Sequence, residues 1–302
     1  MRVFVVRCPG WDESEPFEPT VAAVEACAAG VEILHPGLLA LPARGPAARG
    51  NGGEEAAAGR LADAVHSVCD VKCEVGAADS LFAAWLATRS GAIVAPGETA
   101  SFLRDHGVAC LGRPYLTAAL HRLGVRTLGA FAGMPPADVA AALGVDAVSA
   151  HRLARGEEAV AAGPSVRRPN LAVEVGCNPP LSRSDTAEFA AEALSSQLHR
   201  LLDAHGLACT RLVVDAATAI AGRRSDFFGD GFSVSRTWRH DGALTRQATA
   251  ERVRWQLDGW MLTGPSAGGG VSALRLIPAG LLPRAEVESI RPGPAWWGRR
   301  EL

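Results

Sequence analysis

Across its 302 residues the chain has one lysine, Lys72, and one tyrosine, Tyr115, and from Ile33 to Gly53 it has no carboxylate at all. The last absence excludes carboxylate general acid-base work and hard-metal binding from that stretch, since both need Asp or Glu oxygens. Long apolar runs are missing too. None approaches the roughly 20 residues that a membrane-spanning helix needs, and the run before Arg7, Val3 to Val6, is too short for the apolar region of a secretory leader. The chain is therefore expected in the cytosol, away from membranes. Its seven cysteines are odd in number and scattered, which argues against a disulfide framework. Cys69 and Cys73, with His66 one turn earlier, lack an evident fourth ligand and zinc-ribbon spacing, so buried thiols are the expectation and no metal is assigned.

What is present is the composition of an ordinary globular protein, 48% hydrophobic and 21% charged, long enough for two or three domains. Charge is unevenly spread. Residues 1 to 163 carry 13 basic and 18 acidic side chains, while residues 164 to 302 carry 17 and 14, every basic one an arginine. Arginine binds phosphate bidentately, so the second half points weakly toward phosphate-bearing partners.

Apolar spacing predicts a helix over 17–29 with Val21, Val24 and Ala28 on one face. "VEILHPGLLALPARGP" reads as a strand pair interrupted at Pro36-Gly37. "GNGGEEAAAGRLADAVHSV" is a glycine loop entering an amphipathic helix, but Glu54 and Glu55 in its first turn argue against a phosphate there. "KCEVGAADSLFAAWLATRSG" reads as a short strand, a Gly-Ala-Ala-Asp turn and a helix with Leu81, Ala84 and Trp85 on one side. Short helices joined by Leu-Gly-Val turns follow. In such helix-hairpin-helix units a tight glycine turn aims the next helix's free N–H groups at a DNA phosphate, though an ordinary helical bundle has the same pattern. Gly124, Val125, Arg126 and Thr127 are the hairpin residues expected near phosphate.

Residues 164–170 read as a linker rich in Pro and Arg. Beyond it a strand-helix-strand-strand-helix-strand order predicts a four-stranded antiparallel sheet with both helices on one face. In "CTRLVVDA" Arg211, Val213 and Asp215 alternate with Leu212 and Val214, and in "SVSRTWRHD" Arg236 is taken to oppose Trp238. The free face is thus expected to carry Arg211, Arg236 and Arg239 as a cradle for nucleic-acid backbone, the alternative being solvated decoration. Truncating Arg236 and Arg239 together is expected to weaken DNA binding and leave the fold intact. "DFFGDG" at 226–231 reads as a hairpin tip, His240-Asp241 as a strand end, and Trp255 and Trp260 as core anchors.

Taken together, "VEILHPGLLAL", "VGAADSLFAAWLA", "LHRLGVRTLGAFAGM" with "HRLARG", and "ACTRLVVDA", "TWRHDGAL" and "ERVRWQLDGW" resemble the Y-family translesion DNA polymerases, and within them the ImuB-type, polymerase-like proteins. The resemblance implies an α+β, multi-domain architecture: a partial palm with a mixed sheet over 1–98, a helix-hairpin-helix thumb over 99–163, and a βαββαβ little finger over 171–280. A C-terminal tail over 281–302 completes it. His35 then stands at the serine of the family's Ser-Ile-Asp-Glu motif, Pro36 at the isoleucine, Gly37 at the aspartate and Leu38 at the glutamate, while Ser80-Leu81 replaces an Asn-Lys pair on the nucleotide side. Two-metal nucleotidyl transfer needs those carboxylates, so no catalytic residue, cofactor or metal is assigned.

The resemblance further implies a non-catalytic scaffold that holds DNA template-primer, without sequence preference, in damage-induced translesion synthesis at the nucleoid. Its partners would be the sliding clamp, an ImuA-type RecA-like protein and an error-prone, replicative-type polymerase subunit. "GPAWWGRREL" resembles a degenerate clamp-binding peptide with Trp296 and Trp297 as anchors. An active lesion-bypass polymerase and a decayed remnant stand as alternatives. Relatives begin with further residues that carry the first palm strand and its Asp-x-Asp motif, so a truncated palm with an unpaired central edge is expected here.

Overall fold

The structure, a computed structural model, describes residues 2–12, 15–43, 52–69, 71–157, 171–218, 233–263 and 270–284. Contacts divide them into two units, one built on residues 2–11 and 23–157, the other on residues 12–22 together with the described residues from 171 to 284. The expected palm and thumb thus share the first unit, and the expected little finger makes up most of the second.

The first unit contains β1 (Val3–Arg7), the second half of α1 (Glu18–Cys27), whose first half belongs to the second unit, β2 (Glu32–His35), β3 (Leu38–Pro42), α2 (Gly53–His66), β4 (Glu74–Ala78) and α3 (Leu81–Thr88). Its strands pair antiparallel in the order β4-β1-β3-β2. β1 is interior: Val5 faces Ala40 on one side and Gly76 on the other. The expected empty centre is therefore filled, and by the chain's own opening residues. Val3, Phe4, Val5 and Val6 are all buried, as an interior strand covered on both faces requires. A four-residue apolar run is long enough for that strand.

β4 extends further than expected, through Gly76, Ala77 and Ala78, which had read as part of a turn. The reason lies in the neighbour. A Cβ on Gly76 would stand 2.5 Å from Thr88 N and 2.6 Å from Ala84 O, so the glycine lets α3 lie directly on the strand. All eight residues of α3 are buried, not one side of it.

Short helices complete the unit: α4 (Thr99–Leu103), a 3-10 turn at Val108–Leu111, α5 (Pro114–Arg122), α6 (Leu128–Ala132), α7 (Pro136–Leu143) and α8 (Val145–Ala154). Proline opens α5 and α7, where its missing N–H costs nothing. Leu103, Leu111, Leu120, Leu128, Phe131 and Val139 bury one face of each element in the same core as α3.

The second unit contains β5 (Val173–Leu181), α9 (Ser184–Ala204), β6 (Leu207–Thr218), β7 (Ser233–Arg239), α10 (Arg246–Leu262) and β8 (Val271–Pro283). The strands pair antiparallel in the order β7-β6-β8-β5. α9 packs on β5, β6 and β8, and α10 on β6 and on α9, so both helices cover one face. The βαββαβ expectation holds, and the fold class is α+β. β8 runs to Pro283, past the expected domain edge at 280. Among the described residues no helix is long and apolar enough to cross a membrane.

Candidate nucleic-acid interface

In the second unit, strand alternation sorts the arginines. Leu212, Val214 and Ala216 of β6 are buried beneath the helices, which turns Arg211, Val213 and Asp215 to the face that neither helix covers. The register sets Arg211 opposite Arg239 of β7 on one side and opposite Ala279 of β8 on the other. Thr237 and Ser235 continue this face along β7, and Arg275 and Ile277 along β8. Arg275 is paired across to Glu174 of β5 at 2.8 Å, and Asp215 lies between Ser235 and Arg275.

A guanidinium fork fits a phosphodiester, and the register sets two such forks side by side on this face. Both residues lie on the face where the alternation in the sequence puts them. Arg275 is not among the expected residues, although the alternation of Leu274 and Leu276 with their neighbours carries the same signal.

Arg236 is not part of this face, which corrects the expectation. Residues two apart on a strand share a side, so Arg236 lies with Trp238 and Val234 under the helices, 8% exposed. Its Nη2 donates to Glu18 Oε1 at the start of α1, and Nη1 donates to the Ser235 carbonyl at 2.8 Å. Gln256 of α10 donates to Glu18 Oε2 at 2.8 Å, and Trp238 Nε1 donates to Gln256 Oε1 at 3.1 Å. This is a buried polar chain that ties α1, β7 and α10 together. It has no geometry for DNA, and truncating Arg236 is not neutral to the fold.

The helical hairpin forms as expected, but with a different hydrogen-bond pattern. α5 ends in a Schellman motif: Gly124 takes φ 78°, its N–H donates to His121 O at 3.0 Å, and Val125 N–H donates to Leu120 O at 2.9 Å. Gly124 and Arg126 are exposed at the tip, with Val125 and Thr127 half-buried. The free N–H groups expected on the next helix are engaged. Leu128 N–H donates to His106 O at 2.8 Å, Gly129 N–H to Arg104 O at 2.9 Å, and Ala130 N–H to the Thr127 hydroxyl at 3.2 Å. The Arg126 side chain and the exposed tip are thus the groups of this hairpin open to an anion, and Thr127 acts as a helix cap.

At the motif that resembles the polymerase carboxylates, Pro36 and Gly37 join β2 to β3 as a two-residue turn. Gly37 takes φ 87°, and a Cβ there would stand 3.0 Å from Trp11 Cβ. Leu38 is 1% exposed and sits opposite Arg7. On the other flank Ser80 caps α3 by accepting from Ala83 N–H at 3.4 Å, and both Ser80 and Leu81 are buried. In the first turn of α2 Arg2 Nε donates to Glu54 Oε1 at 2.8 Å, and residues 44–51 before it lie outside the described residues. Among the described residues no three His, Cys, Asp or Glu side chains come together where they could hold a metal ion. Trp296 and Trp297, the 226–231 segment and the 164–170 linker lie outside the described residues.

The architecture is thus that of an α+β protein whose second unit is a βαββαβ layer. The sequence matches no family model and no curated protein. Solved structures similar to the chain include a Dbh ternary complex with partially disordered substrates, at 10% identity and a TM-score of 0.45, covering 91% of this chain and 98% of that one. They also include a DinB family error-prone DNA polymerase from Sulfolobus solfataricus, at 12% identity and a TM-score of 0.44, covering 92% and 98%. A third is an insertion ternary complex of Dbh DNA polymerase, at 13% identity and a TM-score of 0.41, covering 85% and 72%.

Proposed function

We propose that the chain is a DNA-binding scaffold of Y-family polymerase-like, ImuB-type character that holds template-primer without catalysing nucleotide addition. The observation that carries this reading is the opposed pair Arg211 and Arg239 on the sheet face that neither helix of the second unit covers. Such a pair reads charge spacing and not base edges, so binding is sequence-independent and steeply salt-dependent. The turn at Gly37 and the buried Leu38 support the non-catalytic part, because neither can hold the ions that activate a 3′ hydroxyl. In this reading the scaffold serves translesion synthesis, with the sliding clamp, an ImuA-type RecA-like protein and an error-prone polymerase subunit as partners, and Trp296 and Trp297 anchor the clamp contact.

Fluorescence anisotropy on a labelled primed template, titrated across salt concentrations, tests the binding. Affinity that falls steeply with salt and is equal for unrelated sequences supports it, and no binding at low salt refutes it. Primer extension with magnesium or manganese tests the second half. Template-dependent incorporation that tracks the protein through purification would replace the scaffold by an active lesion-bypass polymerase.

A further inference from the structure

Two thiols meet at one end of the first unit's sheet. β1 and β4 pair with Arg7 opposite Glu74, so the next residues along, Cys8 and Cys73, stand opposite each other. Opposed residues of an antiparallel pair have Cα atoms about 4.5–5.5 Å apart, inside the roughly 4.4–6.8 Å that a disulfide spans. The strands are pinned beside this point. Arg7 pairs with Glu74 at 2.7 Å, and Cys8 N–H donates to Gly37 O at 2.8 Å.

The side chains also meet. Interaction with the Cys8 thiol lowers the Cys73 thiol from its ordinary value, while interaction with Cys73 and burial raise Cys8. Cys8 is 4% exposed and Cys73 half-buried, so a dissolved oxidant reaches Cys73 first. Cys69 is close enough for its charge to act on Cys8, but its own thiol donates to Val65 O at 3.2 Å within its own chain segment.

We propose that Cys8 and Cys73 form a modification site, a dithiol that a peroxide converts reversibly to a disulfide joining β1 to β4. The Cys73 thiolate attacks one peroxide oxygen and breaks the O–O bond. The departing hydroxide takes up a proton and leaves as water, and Cys73 becomes a sulfenic acid. The Cys8 sulfur, giving its proton to the leaving hydroxide, then attacks the sulfenic sulfur. The S–S bond forms as the S–O bond breaks, and a second water departs. Two thiols lose two electrons, one peroxide gains them, and a small-molecule dithiol reverses the bond by exchange.

The test uses the full, folded chain with one equivalent of hydrogen peroxide, alkylation of the remaining thiols, digestion without reduction, and mass spectrometry. The expected product joins the Cys8 and Cys73 peptides, removes two of the seven thiols, and reverts with dithiothreitol. A bond from Cys73 to Cys69 instead, or Cys8 and Cys73 both alkylated, overturns the proposal. In Cys8→Ser the sulfenic acid on Cys73 has no resolving thiol and is expected to be captured by dimedone. Absence of that adduct, with Cys73 fully alkylated, also overturns it. The mapping of the unsubstituted chain stands by itself if Cys8→Ser does not fold, and it is independent of whether the protein binds DNA.

Discussion

Arg236 and Arg239 lie three residues apart on one strand, yet removing each should damage a different property. Arg236→Ala leaves the Glu18 carboxylate buried without its cation, and breaking such a pair costs about 3–5 kcal/mol. Urea unfolding should show that loss, and a midpoint close to that of the unsubstituted protein would show that the pair contributes nothing. Arg239→Ala, on the face that neither helix covers, should stay within about 0.5 kcal/mol. His240 gives the second prediction at this scale. Burial, reinforced by the charge of Arg252, pushes its imidazole down to about 4 from 6.5. The unfolded chain therefore takes up that proton first as pH falls, so the contribution of neutral His240 is complete above pH 6.5 and is lost progressively toward pH 4. The loss is on the order of 2–3 kcal/mol. Melting curves between pH 7 and pH 4 should be less steep in pH for His240→Gln than for the unsubstituted chain, and equal slopes would contradict the assignment.

At the scale of elements, what the sequence made legible and what it hid follow from one distinction. Periodicity within a segment is local, so the alternation in β6 and the order of all six second-unit elements were readable. Partners supplied from far along the chain were not. The N–H groups of α6 are satisfied by carbonyls of Arg104 and His106, more than 20 residues earlier, and no spacing within the Leu-Gly-Val turn reveals that. Arg236 differs: its position two residues from Trp238 puts it on the same, buried side, which the alternation in the sequence already carries. Gly76 and β1 carry little signal in the sequence because a glycine and a short apolar run show their role only once the helix or strand they serve is in place. The Pro36-Gly37 turn was readable, and it bears on chemistry. Restoring a carboxylate by Gly37→Asp places a Cβ against Trp11 at positive φ, at a cost of roughly 1–3 kcal/mol. Thermal melting should show the loss with no template-dependent incorporation gained; a stable variant that extends primers would mean that this site is a single residue away from catalysis.

For the whole molecule, the two units divide the account. The first has four antiparallel strands with a Pro36-Gly37 turn leading into the buried Leu38, and an exposed hairpin tip at Gly124 and Arg126. The second carries the opposed arginines. If phosphate binding at Arg211 and Arg239 is what this chain is built for, affinity should depend on those two side chains and scarcely on DNA sequence. The most direct measurement is anisotropy with a primed template for the Arg211→Ala, Arg239→Ala double variant beside the unsubstituted protein, after matching melting curves confirm the fold. Loss of two phosphate contacts should weaken binding about tenfold or more and lower the slope of log affinity against log salt by roughly 2. An unchanged affinity and an unchanged slope would contradict DNA binding through this face.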